Sequence, residues 1–156
     1  MTKLYPLYLF LFISIILAGC SKDFLKSYDD RIEGTWNLVD VDRHGGGGGT
    51  GGLPFRDGTF IFSDGGSLEY INTAGEHYQG SWDIRKRWVR GNCYTDEDGN
   101  YKCDDRHIRS LQIHAVNFVT QGVIVQDFDD IKFTGTNRFN AFVYDGFSTY
   151  VYRFRR

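Results

Sequence analysis

Between residues 34 and 155 the chain alternates apolar and polar side chains with period two, and turn signals recur roughly every 8–12 residues. This pattern constrains the fold more than any other feature. A period of two places alternate side chains on opposite faces of an extended strand. The turns have their own chemistry in Asp64-Gly65-Gly66, Ala74-Gly75-Glu76, Thr134-Gly135-Thr136-Asn137 and Asp145-Gly146. Strands are predicted at residues 34–42, 58–63, 67–73, 77–84, 87–93, 107–116, 123–128, 130–135, 138–145 and 147–155. The links are short, so consecutive strands are expected to be antiparallel neighbours.

Eight to ten antiparallel strands suit either an up-and-down barrel or a sandwich. Short links and the need to hide sheet edges favour the all-β, antiparallel up-and-down barrel. Alternation also assigns faces. Tyr150, Tyr152 and Phe154 share one face of the last strand, and Val151, Arg153 and Arg155 share the other. Aromatic residues make up 17% of the chain, which leaves both a filled core and a lined cavity open.

Upstream, Lys3 precedes an apolar run over residues 4–17, which ends in Leu17-Ala18-Gly19-Cys20. The run has the length of a signal-peptide core and falls short of the roughly 20 residues of a spanning helix. The tetrapeptide resembles the lipobox of bacterial lipoproteins. The resemblance implies removal of residues 1–19, acylation of Cys20, and a lipid tether to the bacterial cell envelope, with the outer membrane expected. Which face of that membrane carries the protein is left open. Residues 20–31 read as a polar tether and residues 32–156 as the folded domain. Removing 19 of 156 residues leaves 137, one domain of ordinary size. Losing Lys3 leaves 17 basic against 20 acidic residues, a net charge of −3, which argues against nucleic acid as a partner.

Beyond Cys20, Cys93 and Cys103 flank a turn centred on Asp98-Gly99-Asn100. Strands folding back around that turn would let the two pair in an oxidising compartment, the alternative being two free thiols on a loop. Asp96, Asp98 and Asn100 echo the spacing of a calcium loop, but the glycine falls too early, and a plain acidic turn is the simpler account.

The glycine run over residues 45–52 lacks the Lys-Ser or Lys-Thr of a phosphate cradle, so it reads as a flexible insertion or as a lid between the first two strands. His44, His77, His107 and His114 show no ligand-pair spacing, so no metal and no cofactor are expected. Acids such as Asp127, Asp129 and Asp130 read as turn residues, and no nucleophile stands beside a base.

Ile32-Glu33-Gly34-Thr35-Trp36-Asn37-Leu38-Val39 resembles the G-x-W opening strand of lipocalins. With Phe60-Ile61-Phe62, Gly80-Ser81-Trp82-Asp83-Ile84 and Tyr150-Val151-Tyr152-Arg153-Phe154-Arg155 in order, the chain resembles lipocalin-like lipoproteins of Bacteroidetes-type bacteria. The resemblance implies a lipocalin-like barrel. In it Gly34 and Trp36 mark the closed end, and Arg153 or Arg155 stacks on Trp36 as a cation–π contact. The expected function is non-catalytic binding of a small, partly apolar ligand. Phe60, Phe62, Tyr70, Tyr78, Trp82, Phe139 and Tyr152 are candidate lining residues, each equally explicable as core. A protein- or glycan-interaction module with a filled barrel is the alternative, and an envelope hydrolase is a third.

Overall fold

The computed structural model describes residues 26–45, 52–96 and 98–156. The expected leader at residues 1–19, the expected lipidation site Cys20, the start of the expected tether and residues 46–51 of the glycine run lie outside the described residues. The first described element is a single helical turn, α1 (Tyr28–Ile32). Ser27 and Asp30 cap it reciprocally: the Asp30 backbone N–H donates to Ser27 Oγ at 3.1 Å, and the Ser27 N–H donates to Asp30 Oδ2 at 3.2 Å. The last residues of the expected tether, 28–31, therefore form a capped turn, and Ile32, where the folded domain was expected to start, is fully buried.

Nine strands follow: β1 (Gly34–Gly45), β2 (Thr59–Ser63), β3 (Ser67–Ile71), β4 (His77–Thr95), β5 (Tyr101–Val116), β6 (Val123–Phe128), β7 (Asp130–Phe133), β8 (Arg138–Asp145) and β9 (Ser148–Arg155). They form one antiparallel sheet in the order β6-β5-β4-β3-β2-β1-β9-β8-β7. All four expected turns join strands where their residues foretold. At Asp64–Gly66 the two glycines adopt φ of 74° and 81°, the left-handed region that only glycine enters freely.

Two expectations need correction. The predicted strands 77–84 and 87–93 are one strand, because Arg85 and Lys86 stay in register with Ser110 and Arg109 and contain no breaker. The irregularity falls further on, between Val89 and Asn92. There the Gly91 N–H leaves the ladder and donates to Asp105 Oδ1 at 2.6 Å. Nor is the sheet closed into a barrel, since no hydrogen-bonded ladder joins its two ends. The physical reason is that β6 and β7 are successive halves of one run, separated only by Asp129. The first half pairs with β5 and the second with β8. A strand that changes partner cannot complete a ladder on both sides. Side chains tie the corner instead: Asp130 Oδ1 accepts from the Arg109 N–H at 3.0 Å, and Asp129 Oδ2 accepts from the Tyr144 N–H at 2.8 Å. Burial is the main cause that raises the pKa of both carboxyls.

The inner face carries the main core, which includes Trp36, Phe60, Phe62, Leu111, Ile113, Phe128 and Phe154. Gly80 pairs with Ala115 across the β4–β5 ladder, where an added Cβ would sit 1.8 Å from the His114 carbonyl oxygen. A second, smaller core lies on the outer face. The far half of the β4–β5 hairpin folds across β8 and β9 and buries Ile108, Phe142 and Val151. Thr149 Oγ1 donates to the Thr95 carbonyl at 2.8 Å, and Arg106 Nη2 donates to Tyr144 Oη at 2.9 Å. Cys93 and Cys103 face each other directly across this hairpin and form a disulfide.

Candidate ligand site on the inner face

The end of the sheet nearest α1 is sealed. Trp36 is fully buried and donates its indole N–H to the Ile32 carbonyl at 2.6 Å. The stacked cation differs from expectation: it is Arg156, whose guanidinium carbon lies 4.1 Å from the Trp36 ring. Arg156 Nη2 also donates to the carbonyls of Arg31 and Glu33. Strand parity explains the correction. Tyr152 and Phe154 face inward, so the next inward position is 156. Arg153 faces outward and binds Asp40 Oδ2 at 2.6 Å and Asp42 Oδ2 at 2.5 Å, and Arg155 is exposed. Gly34, at φ 111°, lies beneath Arg156, with the Arg156 Nη2 only 3.5 Å from where a Cβ would stand.

The seven candidate lining residues all face inward, and they pack mostly against each other. Phe60 meets Tyr70 with ring centroids 4.6 Å apart, Tyr70 meets Tyr78 at 5.5 Å, and Phe62 meets Trp82 at 5.7 Å. Phe139 stacks on Phe154 at 4.4 Å, and Tyr152 abuts Phe128 at 5.0 Å. Most of their polar atoms are satisfied. Tyr70 Oη donates to the Asp57 carbonyl, Tyr78 Oη to Glu76 Oε2, and Trp82 Nε1 to the Ser63 carbonyl. These rings fill the space between them, so the sealed end and the middle of the inner face are core.

Tyr152 differs from the other six. It is fully buried, and its hydroxyl has no hydrogen-bond partner. Desolvation raises its pKa well above the ordinary phenol value, so it stays a neutral O–H donor. Arg43 lies on the same face of the neighbouring strand. In the β1–β9 register Val41 faces Tyr152 and Arg43 faces Tyr150, so Arg43 and Tyr152 are diagonal neighbours on the same face. Arg43 Nη2 donates to Ser148 Oγ at 2.7 Å, and its guanidinium lies 5.6 Å from the Tyr150 ring centroid. Its Nε and Nη1 are enclosed and unpartnered, as is His44 Nε2.

Simple alternation from Trp36 does not bring Arg43 inward, because a bulge between Leu38 and Asp40 reverses the parity of β1. Trp36 and Leu38 point inward before it, and Val41 and Arg43 point inward after it. The apolar spacing Trp36, Leu38, Val41 was a signal for that bulge.

The remaining candidates serve structure. Asp96 Oδ1 accepts from the backbone N–H groups of Asp98 and Asn100, and Oδ2 binds Lys102 Nζ at 2.5 Å. These contacts, the Lys102 hydrogen bond foremost, lower its pKa to about 2. Among the described residues, no three metal-binding side chains converge. His77 lies 3.3 Å from Glu69, and His107 packs on Trp88. On the outer face, a groove of about 400 Å3 is lined by Tyr94, Thr95, Asp96, Asp98, Lys102, Lys132, Phe142 and Tyr144. No family model, curated protein or solved structure matches this chain.

Proposed function

We propose that this chain is a lipid-anchored envelope lipoprotein whose lipocalin-like sheet binds a small, partly apolar ligand without catalysis. The observation that carries the reading is that Tyr152 and Arg43, both on the inner face, each hold enclosed polar groups without partners. Buried polar groups are rarely left without partners, because each costs about 1–3 kcal/mol. A ligand with acceptor atoms would supply those partners. The meander order, the buried Trp36 under a basic side chain, and the corner at Asp129 support the lipocalin-like assignment. Leu17-Ala18-Gly19-Cys20 supports the anchor.

Native mass spectrometry of the chain purified from its own host tests the reading. A retained small molecule is expected, and an empty protein argues against it. Cys20→Ser should abolish incorporation of a labelled acyl chain, and label that persists in the variant refutes the anchor.

The outer groove favours a second reading, a glycan-interaction module. Tyr94, Phe142 and Tyr144 supply ring surface there, and Lys102 and Lys132 supply donors. Glycan-array binding that is lost in Tyr94→Ala and kept in Tyr152→Phe would favour this reading over the first.

A further inference from the structure

We propose that the face of the β4–β5 hairpin carrying Lys86, Trp88, His107 and Arg109 docks on the anionic phospholipid headgroups of the bilayer that holds the acyl anchor. The inference rests on the anchor reading above and adds the surface by which the folded domain meets that bilayer.

The argument starts from the sequence. Arg85-Lys86-Arg87-Trp88-Val89-Arg90 holds four cations in six residues, in a chain whose net charge is −2. Strand geometry divides them between two faces. Lys86 and Trp88 share one face of β4, and their partners Arg109 and His107 share the same face of β5. On the other face Arg85 binds Asp83 at 2.5 Å, and Ile108, the partner of Arg87, is buried.

The four residues of the first face form a continuous patch. Trp88 packs on His107 with ring centroids 4.5 Å apart, and Lys86 stands directly opposite Arg109. The Arg109 guanidinium carbon lies 3.8 Å from the Tyr28 ring centroid, which joins the patch to α1. Like charges directly opposite each other on paired strands are unfavourable. Among the described residues neither Lys86 nor Arg109 forms an ion pair. Asp105 follows on the same face of β5, and its Oδ1 accepts from the Gly91 N–H. Asp29, Glu33, Asp64 and Asp83 line a hollow that none of the four patch residues borders. A layer of phosphate groups would supply the counter-charge that the fold leaves out.

Trp88 adds an apolar contact suited to the same layer. It is 51% exposed, whereas Trp36 and Trp82 are buried. An indole has an apolar body and one N–H, and such side chains concentrate at headgroup depth. The chain length agrees. Seven residues separate Cys20 from Tyr28, so an acylated Cys20 keeps α1 within about 28 Å of the bilayer, eight steps of ~3.5 Å. The tether makes docking intramolecular, and a patch too weak to hold a free protein then suffices.

The test uses the acylated chain purified from its own host. It is reconstituted in vesicles of phosphatidylcholine alone, or of phosphatidylcholine and phosphatidylglycerol in a two-to-one ratio. Docking is read as quenching of tryptophan fluorescence by brominated phosphatidylcholine, and Trp88→Phe assigns the quenched emission to residue 88. Quenching is expected in the phosphatidylglycerol vesicles, with loss at high salt. Each charge near an anionic leaflet changes affinity about fivefold, so Lys86→Glu is expected to lower the docked-to-undocked ratio about 25-fold. Its unfolding midpoint should hold or rise, because the like-charge pair with Arg109 becomes an ion pair. An acylated chain whose Trp88 stays unquenched overturns the docking and leaves the anchor standing. Equal quenching in both kinds of vesicle, or in wild type and Lys86→Glu, overturns it in the same way. A chain that carries no acyl group overturns the anchor and the docking together.

Discussion

Tyr152→Phe should stabilise the ligand-free protein, the opposite of what removing a polar contact normally does. Tyr152 is fully buried, and its hydroxyl has no partner. The folded state therefore carries a desolvation cost of about 1–3 kcal/mol for that group, and phenylalanine keeps the ring while removing the cost. The ring contact with Phe128 at 5.0 Å is retained, so the loss is confined to one oxygen's dispersion contacts. The net gain is about 1–2 kcal/mol. For a domain of this size that corresponds to a rise in Tm of roughly 3–8 °C. Urea unfolding followed by tryptophan fluorescence provides the assay, with a higher midpoint at unchanged slope as the expected result. Tyr70→Phe is the internal control. Its hydroxyl donates to the Asp57 carbonyl at 3.1 Å, so the same substitution there should destabilise by about 0.5–1.5 kcal/mol. A midpoint that falls in Tyr152→Phe by as much as in Tyr70→Phe would refute the reasoning, because the Tyr152 hydroxyl would then have a partner in the protein itself.

Arg156→Ala should destabilise by about 1–2 kcal/mol, through loss of the stack on Trp36 and of the bonds to the Arg31 and Glu33 carbonyls, whereas Arg155→Ala should change the unfolding midpoint little. Replacing Cys93 and Cys103 together by serine should cost about 2.7 kcal/mol in the chain-entropy model for a separation of 10, measured by urea unfolding with and without reductant. The Asp96 carboxyl, held at about 2 mainly by its hydrogen bond with Lys102, stabilises the hairpin turn above the unfolded carboxylate value and loses that effect as pH falls through about 2. Amide resonances of Asp98 and Asn100 should therefore keep their folded positions at pH 3, and movement there by pH 4 would contradict the assignment.

Local features of this protein were legible without the structure. Turn chemistry located the strand ends around Asp64, Ala74, Thr134 and Asp145, because a glycine or aspartate at a turn acts over a few bonds. Two-residue alternation placed Phe60, Phe62, Tyr70, Trp82, Phe139 and Tyr152 on the inner face, and the hairpin turn between Cys93 and Cys103 foretold their pairing. The Arg156 stack was within reach of the same alternation. The predicted strand ends at Arg155, and the inward parity of Tyr152 and Phe154 continues one step further to Arg156.

Other features came only from tertiary contacts. The bulge after Leu38 lies within the ladder between β1 and β9 and turns Arg43 inward. The corner at Asp129 depends on β5 and β8 being close enough to share one run of chain, so a closed ladder was expected where none exists. The outward side chains Phe142 and Val151 are buried because the distant β4–β5 hairpin folds over them. Alternation along a strand assigns a residue to a face, since backbone geometry makes that a local property. What covers the face, and which polar atoms find partners there, is decided by segments a hundred residues apart meeting in space.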